Sequence, residues 1–547
     1  MRPIRPFLLA CAAGALLLPA CADDTTTSVA GGDSVAATTD DASQAATTDD
    51  ASQAATETAV TVETAAFVEA LDDHDDAEDH EWDAASEIAI ELTGESVTIT
   101  EPGTYRLSGT LTDGQVIVDS QVDGMVRLIL DGVDITSSTG AAIAILAADE
   151  AMIVLADGST NTLTDAATYV FPDADTDEPN AALYSAADLT ITGEAAGDGT
   201  LVVDGNYNDG IGGKDGVVIT SGVITVTAVD DGIRGKDYLL VEGGTITVDA
   251  GGQGLKSDFD EDDTKGAVVV TDGSVAITAE GDAIHSDNDV VLAGGSITIS
   301  TGDDAVHADD SLLVSGGTLD ITESYEGLEA LAITIAGGNS SVVASDDGVN
   351  GSGGDATLTI TGGTLLVDAA GDGLDVNGSI TMTGGTVLVN GPTEQMNGAI
   401  DYDGTFDISG GLLVAVGSSG MLQAPTQGSS QLSLMATFDT QQGGTAVHIA
   451  AADGTPLLTF VPTKAFQAVV VSSADIAEGV EYEVSLGGST SGDDLFGLYD
   501  AGAYEGGEVV ATMTSADAVS TGMGGGGMGG GGMGGPGGGG GGGGGRP

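Results

Sequence analysis

Short runs of β-branched and aliphatic residues make up most of the chain from about residue 97 onward. Gly, Asp and Asn separate these runs, as in "VITVTAVDDG" (223–232), and no stretch repeats its apolar residues with the period of a helix. Runs of this length and composition, bounded by turn-forming residues, are typical of β-strands. The hydrophobic pattern therefore predicts an all-β protein.

The glycines between the runs recur at a nearly constant interval. Successive steps of 22, 29, 22, 22, 21, 25, 22 and 26 residues join the following positions: Gly222, Gly244, Gly273, Gly295, Gly317, Gly338, Gly363, Gly385 and Gly411. A unit of about 22 residues with occasional insertions is typical of a solenoid. Because no unit contains a helix, we predict a parallel β-helix in which each coil adds about 4.8 Å along the axis. A calcium-binding nonapeptide roll is excluded, since it would repeat about every nine residues.

Aligned by this period, the units show three columns of residues. One column is aliphatic and should point into the coil: Ile211, Ile233, Leu255, Ile284, Val306, Leu328, Val349, Leu374 and Ile400. The residue after it should point to solvent, because side chains alternate along a strand. We call this second column the outward ladder: Gly212, Arg234, Lys256, His285, His307, Glu329, Asn350, Asp375 and Asp401. An acidic column stands two positions before the aliphatic one: Asp209, Asp231, Gln253, Asp282, Asp304, Glu326, Asp347 and Asp372.

Residues 1–21 have the pattern of a bacterial lipoprotein signal peptide. Two arginines precede an apolar run that ends at Leu18, and "LPAC" places Cys21 at the lipidation position. The run is too short to cross a bilayer. We therefore expect an exported protein that is lipid-anchored at the cell surface, or secreted, and that contacts the membrane only through this anchor. Both cysteines lie in the signal, so the mature chain has no disulfides.

Composition divides the rest of the chain. Residues 22–85 are rich in Ala, Thr and Asp and are predicted to be a disordered acidic tether, since they cannot bury enough apolar surface to fold. Residues 86–415 form the predicted β-helix. Residues 416–515 lose the period and are predicted to be a small β-sheet domain or cap, and 516–547 a disordered Gly/Met-rich tail.

The charge of the chain excludes one class of partner and constrains others. With 86 acidic and 11 basic residues, the formal net charge is −75. A protein of this charge does not bind nucleic acid. An anionic polymer would have to be held by bound cations or by a local basic patch. We expect the protein to be a monomer.

Two interpretations of the acidic positions remain open. Asp and Asn before Gly form turns that stack from coil to coil, which needs no ligand. Carboxylates on neighbouring strands repel, however, and a Ca²⁺ ion with oxygen ligands at about 2.3–2.6 Å fits between strands about 4.8 Å apart. The insertion "DFDEDD" (258–263) is the strongest single candidate. The predicted calcium ligands are Asp231, Asp237, Asp258, Asp260, Asp262, Asp282, Asp287, Asp304 and Asp309.

The few basic residues are concentrated. Lys214, Arg234, Lys236 and Lys256 fall on three consecutive coils at adjacent outward positions. One interpretation is that they neutralise the acidic column. The other is that they form a groove in which calcium, Lys and Arg hold the carboxylates of a polymer, Arg through two hydrogen bonds and Lys as a point charge.

Several phrases resemble the bacterial calcium-dependent carbohydrate-binding domain family. The resemblance covers about 88–415 and rests on phrases in the family's order, including "ITEPGTYRLSGTLTDGQVIVD" (99–119), "DGNYNDGIGGKDGVVITSG" (204–222) and "DDGIRGKDYLLVEGGTITVDAGGQGLKSD" (230–258). It implies a secreted right-handed β-helix with bound calcium, similar in shape to pectate lyases. The implied ligand is an acidic plant-wall polysaccharide such as polygalacturonate, or cellulose.

The resemblance also implies particular binding residues. The matched phrases "GIRGKD" and "GLKSD" contain Arg234, Lys236, Asp237, Lys256 and Asp258. The chain departs from the pattern of its own neighbouring coils at two positions. Gln253 replaces an Asp, and Gly212 stands where the next coil has Arg, which puts ligation at those two coils in doubt.

Three functions are compatible with the sequence. The first is a calcium-dependent binder of acidic or cellulosic polysaccharide at the cell surface. The second is a pectate-lyase-like enzyme, in which Lys236 or Lys256 beside Asp258 would be the base and calcium the electrophile. The third is a surface adhesin or structural spacer. No catalytic set is predicted. The surrounding acids disfavour a lysine as the catalytic base, because they raise its pKa and keep it protonated.

His285 and His307 occupy equivalent positions in "GDAIHSD" (281–287) and "DDAVHAD" (303–309). In the outward ladder they mark the boundary between cationic and anionic positions. Calcium does not choose imidazole, so the neighbouring acids are the better calcium ligands. Binding of a softer metal by the two histidines is the alternative.

Overall fold

The structure is a computed structural model. It describes the following residues: 67, 71, 73–173, 176–259, 261–262, 264–499 and 504–514, with the backbone of 519–522. Cys21, Asp260, the predicted signal peptide and nearly all of the Gly/Met-rich tail lie outside them. Across the described part of the chain, no helix has the length and apolar composition to cross a membrane.

The predicted parallel β-helix is confirmed. The described chain forms a β-solenoid of about 14 turns of about 23 residues each. Its strands are β1 (Ile88–Leu92), β2 (Val97–Ile99), β3 (Gly103–Leu111), β4 (Val116–Asp119), β5 (Val126–Thr136), β6 (Ile143–Ala147), β7 (Ala151–Leu155), β8 (Thr160–Thr164), β9 (Ala181–Ser185), β10 (Leu189–Gly193), β11 (Thr200–Gly205), β12 (Asp209–Gly213), β13 (Gly216–Ile219), β14 (Val223–Ala228), β15 (Ile233–Gly235), β16 (Tyr238–Val241), β17 (Thr245–Ala250), β18 (Leu255–Ser257), β19 (Ala267–Val270), β20 (Ser274–Ala279), β21 (Ile284–Ser286), β22 (Asp289–Leu292), β23 (Ser296–Thr301), β24 (Val306–Val314), β25 (Thr318–Glu323), β26 (Leu328–Ile335), β27 (Asn339–Ala344), β28 (Val349–Ile360), β29 (Thr364–Ala369), β30 (Leu374–Met382), β31 (Thr386–Asn390), β32 (Asp401–Tyr402), β33 (Phe406–Ile408) and β34 (Leu412–Gly417).

Parallel pairing between successive coils builds three sheets around the core. Sheet I contains β2, β4, β6, β9, β12, β15, β18, β21, the first parts of β24, β26, β28 and β30, and β32. Sheet II contains β1, the first parts of β3 and β5, then β7, β10, β13, β16, β19 and β22. It continues with the second parts of β24, β26, β28 and β30, and it ends with β33. Sheet III contains the second parts of β3 and β5, β8, β11, β14, β17, β20, β23, β25, β27, β29, β31 and β34.

The aliphatic column forms the inner face of sheet I. Strand register places its members opposite one another, as for Ile233 and Leu255 or Ile284 and Val306. All are 0–1% exposed and belong to one continuous hydrophobic core. Truncating a buried Leu or Ile to Ala costs about 2–5 kcal/mol of stability, so each rung contributes measurably to the fold.

The recurrent glycines lie at the corner between sheets II and III. All nine have positive φ, between 72° and 106°. At Gly295 a Cβ atom would also lie 2.7 Å from the carbonyl oxygen of Gly273 in the coil before it. Both the left-handed backbone and the close stacking of coils therefore require glycine at this corner.

An N-terminal strap, residues 73–87, packs on the outer face of sheet II. It contains two 3₁₀ turns, Ala77–His80 and Ala84–Ser86. His74 bonds the hydroxyls of Tyr238 and Thr190 through its Nδ1 and Nε2 atoms, at 2.7 and 3.1 Å. The predicted tether thus does not extend through residue 85 as a solvated segment, because a few ring contacts within an acidic stretch attach it to the solenoid.

Further strands follow the solenoid: β35 (Ser433–Gln441), β36 (Val447–Ala451), β37 (Pro456–Phe460), β38 (Phe466–Ser472), β39 (Glu481–Leu486), β40 (Asp494–Leu495), β41 (Leu498–Tyr499), β42 (Glu508–Thr514) and β43 (Val519–Gly522). β38 pairs antiparallel with β34 and so covers the last strand edge of sheet III. β36, β37 and β39 to β42 form a separate six-stranded antiparallel sheet, and a second core that includes Phe460 and Phe466 lies beneath it.

Candidate functional site

The outward ladder runs along the exposed face of sheet I. Strand register places Arg234 beside Lys256, Lys256 beside His285, and His285 beside His307. The same register continues toward the C-terminus with Glu329, Asn350, Asp375 and Asp401, and toward the N-terminus with Gly212, Tyr184 and Ala144. The side chains therefore follow one another at intervals of about 4.8 Å parallel to the solenoid axis.

Arg234 and Lys256 make ion pairs with acids beside the ladder. The Nε atom of Arg234 donates to Asp258 Oδ2 at 2.8 Å, and Lys256 Nζ donates to Asp231 Oδ2 at 2.8 Å. Burial disfavours both charges, but these carboxylates outweigh it and raise the pKa of Arg234 and of Lys256. The two side chains are about one-fifth exposed and remain cationic at neutral pH.

Three further lysines surround this pair. Lys265, from the insertion after Asp262, pairs with Asp237, whose hydrogen bond raises the pKa of the lysine. Lys236 lies over the ring of Phe259 with its Nζ atom 5.5 Å from the centroid, and Lys265 lies 5.2 Å from the same centroid. No carboxylate among the described residues forms an ion pair with Lys236.

Lys214 lies on the coil before Arg234. Its Nζ atom donates to Glu178 Oε2 at 2.6 Å, and its side chain is 43% exposed. The ladder position of that coil is Gly212, so the coil supplies no ladder cation. The structure thus places the four predicted ligand-binding cations on neighbouring coils. Lys265 and Phe259 join them, although sequence reasoning missed both because the insertion has no counterpart in the repeat.

The acidic column caps the backbone of the following coil. Asp231 Oδ1 accepts from the backbone N–H of Gln253 at 3.0 Å, and Asp282 Oδ1 accepts from that of Asp304 at 3.2 Å. Asp304 and Asp347 accept in the same way from Glu326 and Asp372, at 3.2 and 2.5 Å. One carboxylate oxygen therefore serves the turn ladder, and the other points toward the outward ladder.

The described acids among the predicted calcium ligands have partners in the structure. Asp231, Asp237 and Asp258 pair with Lys256, Lys265 and Arg234. Asp262 Oδ1 accepts from the hydroxyl of Thr264 at 2.8 Å. The remaining four contact imidazoles: Asp282, Asp287, Asp304 and Asp309. The structure therefore distributes the predicted ligands along the ladder and does not bring all of them to one point.

The two histidines stack on each other with ring centroids 5.1 Å apart. His285 lies between Asp282 and Asp287, at 2.8 Å from Nδ1 and 3.2 Å from Nε2. Burial of its ring is outweighed by Asp282, so the pKa of His285 is raised. Hydrogen bonds to Asp304 and Asp309, and one to Glu329, raise the pKa of His307 as well.

Asp347, Asp372 and Asp375 form a further group, which we call the acidic cluster. One carboxylate oxygen from each lies within 4.8 Å of the others. Burial, together with neighbouring carboxylates, raises the pKa of Asp347 to about 7 and that of Asp372 to about 6. None of the ion pairs found in the described residues involves these three carboxylates. Sequence reasoning placed these three residues in the columns but did not select them, although the ladder residues of their two coils, Asn350 and Asp375, are neither basic nor imidazole.

The comparison with protein families covers the outward ladder up to Asp375. The model of the family described as "Carbohydrate-binding domain-containing protein" matches residues 93–391, more than half of the 547-residue chain. The chain belongs to this family. The matched carbohydrate-binding domain includes every ladder residue from Ala144 to Asp375 and the acidic cluster. The family supports a carbohydrate as the partner of the chain.

The chain is also similar to one curated protein and to one solved structure. A carbohydrate-binding domain-containing protein of Acetivibrio thermocellus is 45% identical over 139 residues, which are 25% of this chain and 47% of the relative. The match therefore spans about half of the relative's length. A solved structure, described as a polysaccharide lyase-like protein from C. thermocellum in a gadolinium derivative, is 35% identical with a TM-score of 0.39. The match covers 43% of this chain and 96% of the chain in the solved structure.

Proposed function

We propose that the protein binds an acidic polysaccharide along the outward ladder, with calcium as a second contact to the polymer. Membership of the carbohydrate-binding domain family supports a carbohydrate ligand. The position of the basic residues supports an acidic one. Five of the eight lysines and arginines in the described residues, Lys214, Arg234, Lys236, Lys256 and Lys265, lie within 52 residues on adjoining coils.

This clustering is the observation that carries the proposal. A chain with a net charge of −75 repels a polyanion everywhere except where cations are concentrated. Lys236 has no carboxylate partner among the described residues to compete with a ligand, since its described contact is an aromatic ring. Lys214 and Lys265 have side chains that are 43% and 42% exposed. An anionic sugar can therefore contact these ammonium groups without first breaking a buried ion pair.

Calcium fits the acidic cluster by the chemistry of its donors. Asp347, Asp372 and Asp375 offer only carboxylate oxygens, which are the ligands that Ca²⁺ prefers. Burial, together with repulsion between the carboxylates, raises their pKa values, and a bound dication would relieve that repulsion. Ca²⁺ bound there supplies a positive charge to which a sugar carboxylate can also bind.

The ladder gives the two contacts a common direction. Six strand intervals separate Arg234 from Asp375, a distance of about 29 Å along the axis. An extended polymer lying parallel to the axis reaches both the cations and the acidic cluster. We further propose that Cys21 anchors the exported protein by a lipid, which would present this face at the cell surface.

The test is retention on immobilised polygalacturonate. We expect retention in Ca²⁺ that is lost in chelator, and a loss of at least tenfold in affinity for Lys236→Ala. Lys464→Ala is the matched control, because Lys464 pairs with Asp368 at 2.7 Å far along the solenoid from Lys236. Equal retention of both variants would show that the cationic coils do not bind the polymer. Failure to bind any acidic or cellulosic polysaccharide would favour a spacer or adhesin.

The same samples test the alternative of a polysaccharide lyase. Asp231 stabilises the protonated form of Lys256 and raises its pKa, which disfavours this lysine as a base. We therefore expect retention without new ultraviolet absorbance from an unsaturated product. Growth of that absorbance would establish the lyase instead.

A further inference from the structure

His285 and His307 place four ring nitrogens in two rows. Their strands, β21 and β24, pair in register, and the rings stack at 5.1 Å with an interplanar angle of 27°. The Nδ1 atoms face Asp282 and Asp304, and the Nε2 atoms face Asp287 and Asp309. Each row therefore combines imidazole nitrogen with carboxylate oxygen.

The Nδ1 row has the denser set of donors. Asp282 Oδ2 lies 2.8 Å from His285 Nδ1, and Glu329 Oε2 lies 3.1 Å from His307 Nδ1. Asp304 Oδ2 lies 3.4 Å from the same His307 nitrogen. The ligands form two groups of three, and His307 belongs to both. The first group is Asp282, His285 and His307, and the second is Asp304, His307 and Glu329. Within each group the ligand atoms lie within 4.8 Å of one another.

These distances suit a small divalent ion after modest side-chain adjustment. With Zn–N and Zn–O bonds of about 2.0–2.2 Å, tetrahedral ligand atoms lie about 3.3–3.6 Å apart. The donor side chains are 11–24% exposed, so they are partly shielded from water while the row stays open to solvent on one side. An ion can enter from that side and keep a coordination position for water.

The charge around the rings also favours a dication. Five carboxylates contact two imidazoles, which leaves a net charge of −3 when every group is ionised. Protonated rings compensate only two of the five negative charges. A metal-bound imidazole is neutral, so a bound dication takes the place of the two ring protons as the compensating charge, and it uses imidazole nitrogens that a hard calcium ion would not choose.

We propose that one divalent transition-metal ion of the zinc type binds between His285 and His307, with its carboxylate ligands drawn from Asp282, Asp304 and Glu329. The site differs from the acidic cluster in its donors, and it does not depend on the proposed binding of polysaccharide. In the sequence the two histidines mark the boundary between cationic and anionic ladder positions. In this proposal they are the residues that select the transition-metal ion over calcium.

The test is titration of the full chain with Zn²⁺ after removal of bound metals, in the presence of excess Ca²⁺ to occupy all-oxygen sites. Isothermal titration calorimetry should show one Zn²⁺ per chain. Affinity should fall at least tenfold in His285→Asn and in His307→Asn. His448→Asn, whose ring stacks on Tyr504 in the six-stranded sheet, is the matched histidine control and should bind as the parent does.

Two further measurements keep the test decisive if a histidine variant is poorly folded. Co²⁺ added to the unmodified protein should give visible absorption bands of a nitrogen-containing site, and Zn²⁺ should abolish them. Asp375→Asn should leave Zn²⁺ affinity unchanged, because Asp375 belongs to the acidic cluster. The proposal is overturned if excess Ca²⁺ prevents Zn²⁺ binding, if Co²⁺ shows no such bands, or if folded His285→Asn and His307→Asn bind Zn²⁺ as tightly as the parent.

Discussion

Replacing Gly295 by Ala separates two reasons for the recurrent glycines. The residue has a φ of 73°, which L-amino acids adopt only with strain. Its added Cβ would also lie 2.7 Å from the carbonyl oxygen of Gly273 and 2.9 Å from the carbonyl carbon of Asp272. Those atoms are backbone of the preceding coil and cannot move aside without disturbing the stack.

Gly132 provides the matched control within the same solenoid. Its φ is 76°, almost that of Gly295, but a Cβ there would meet no atom within 4 Å. Gly132→Ala should therefore lose only the conformational part, about 1–2 kcal/mol. Gly295→Ala adds overpacking, which costs about 1–3 kcal/mol, so its total loss should be about 2–5 kcal/mol.

The two variants can be compared by guanidinium unfolding followed by circular dichroism. Because long repeat arrays can unfold in parts, amide hydrogen exchange at β22 and β23 should accompany it. We expect the lower midpoint in Gly295→Ala and faster exchange confined to the coils around Gly273 and Gly295. Equal losses in the two variants would refute the role of coil stacking and leave backbone conformation as the whole cause.

Other predictions concern the core, the strap and the acidic cluster. Leu255→Ala should destabilise the protein by about 2–5 kcal/mol, because Leu255 is fully buried; a thermal midpoint like the parent's would contradict the inward column. Trp82→Ala should lower the free energy of unfolding by about 1–3 kcal/mol, because the half-buried indole packs beside β5 and β7 and its ring centroid lies 5.0 Å from Arg127 Cζ. Protease cleavage near residue 80 should accelerate in this variant, and unchanged cleavage would contradict docking of the strap. Stability should fall as pH rises from about 4 to about 7, because the folded state binds protons more tightly at Asp347 and Asp372 than the unfolded state does. Asp347→Asn should flatten this dependence in thermal melts, and Ca²⁺ should oppose the loss in the parent; an unchanged slope in the variant would exclude Asp347 as its source.

The sequence predicted the fold and the outward ladder in detail because a repeat relates residues by position alone. Once the period was known, Ile233 had to lie over Leu255 and Arg234 beside Lys256, whatever their side-chain conformations. The different roles of the two carboxylate oxygens in each residue of the acidic column could not be predicted in the same way. Which oxygen of Asp231 caps the next coil and which meets Lys256 depends on rotamers.

Features outside the repeat were harder to predict. Lys265 reaches Asp237 from an insertion that no other coil shares, and Phe259 lies between two lysines for the same reason. The strap was hidden by its composition, since charge-rich sequence is normally solvated. Its ring contacts with sheet II come from two residues, His74 and Trp82, in an otherwise mostly acidic and small-residue stretch.

The route of the strap determines how the molecule bears mechanical load. Phe67 and Leu71 pack with residues of β13, β16 and β19, whereas Trp82 packs beside β5 and β7, so the chain travels back along sheet II before it enters β1. Tension applied at the N-terminal side therefore acts first on contacts spread over several coils, in shear. The terminal strand β1, whose loss would open the solenoid from its end, is not peeled until those contacts have yielded.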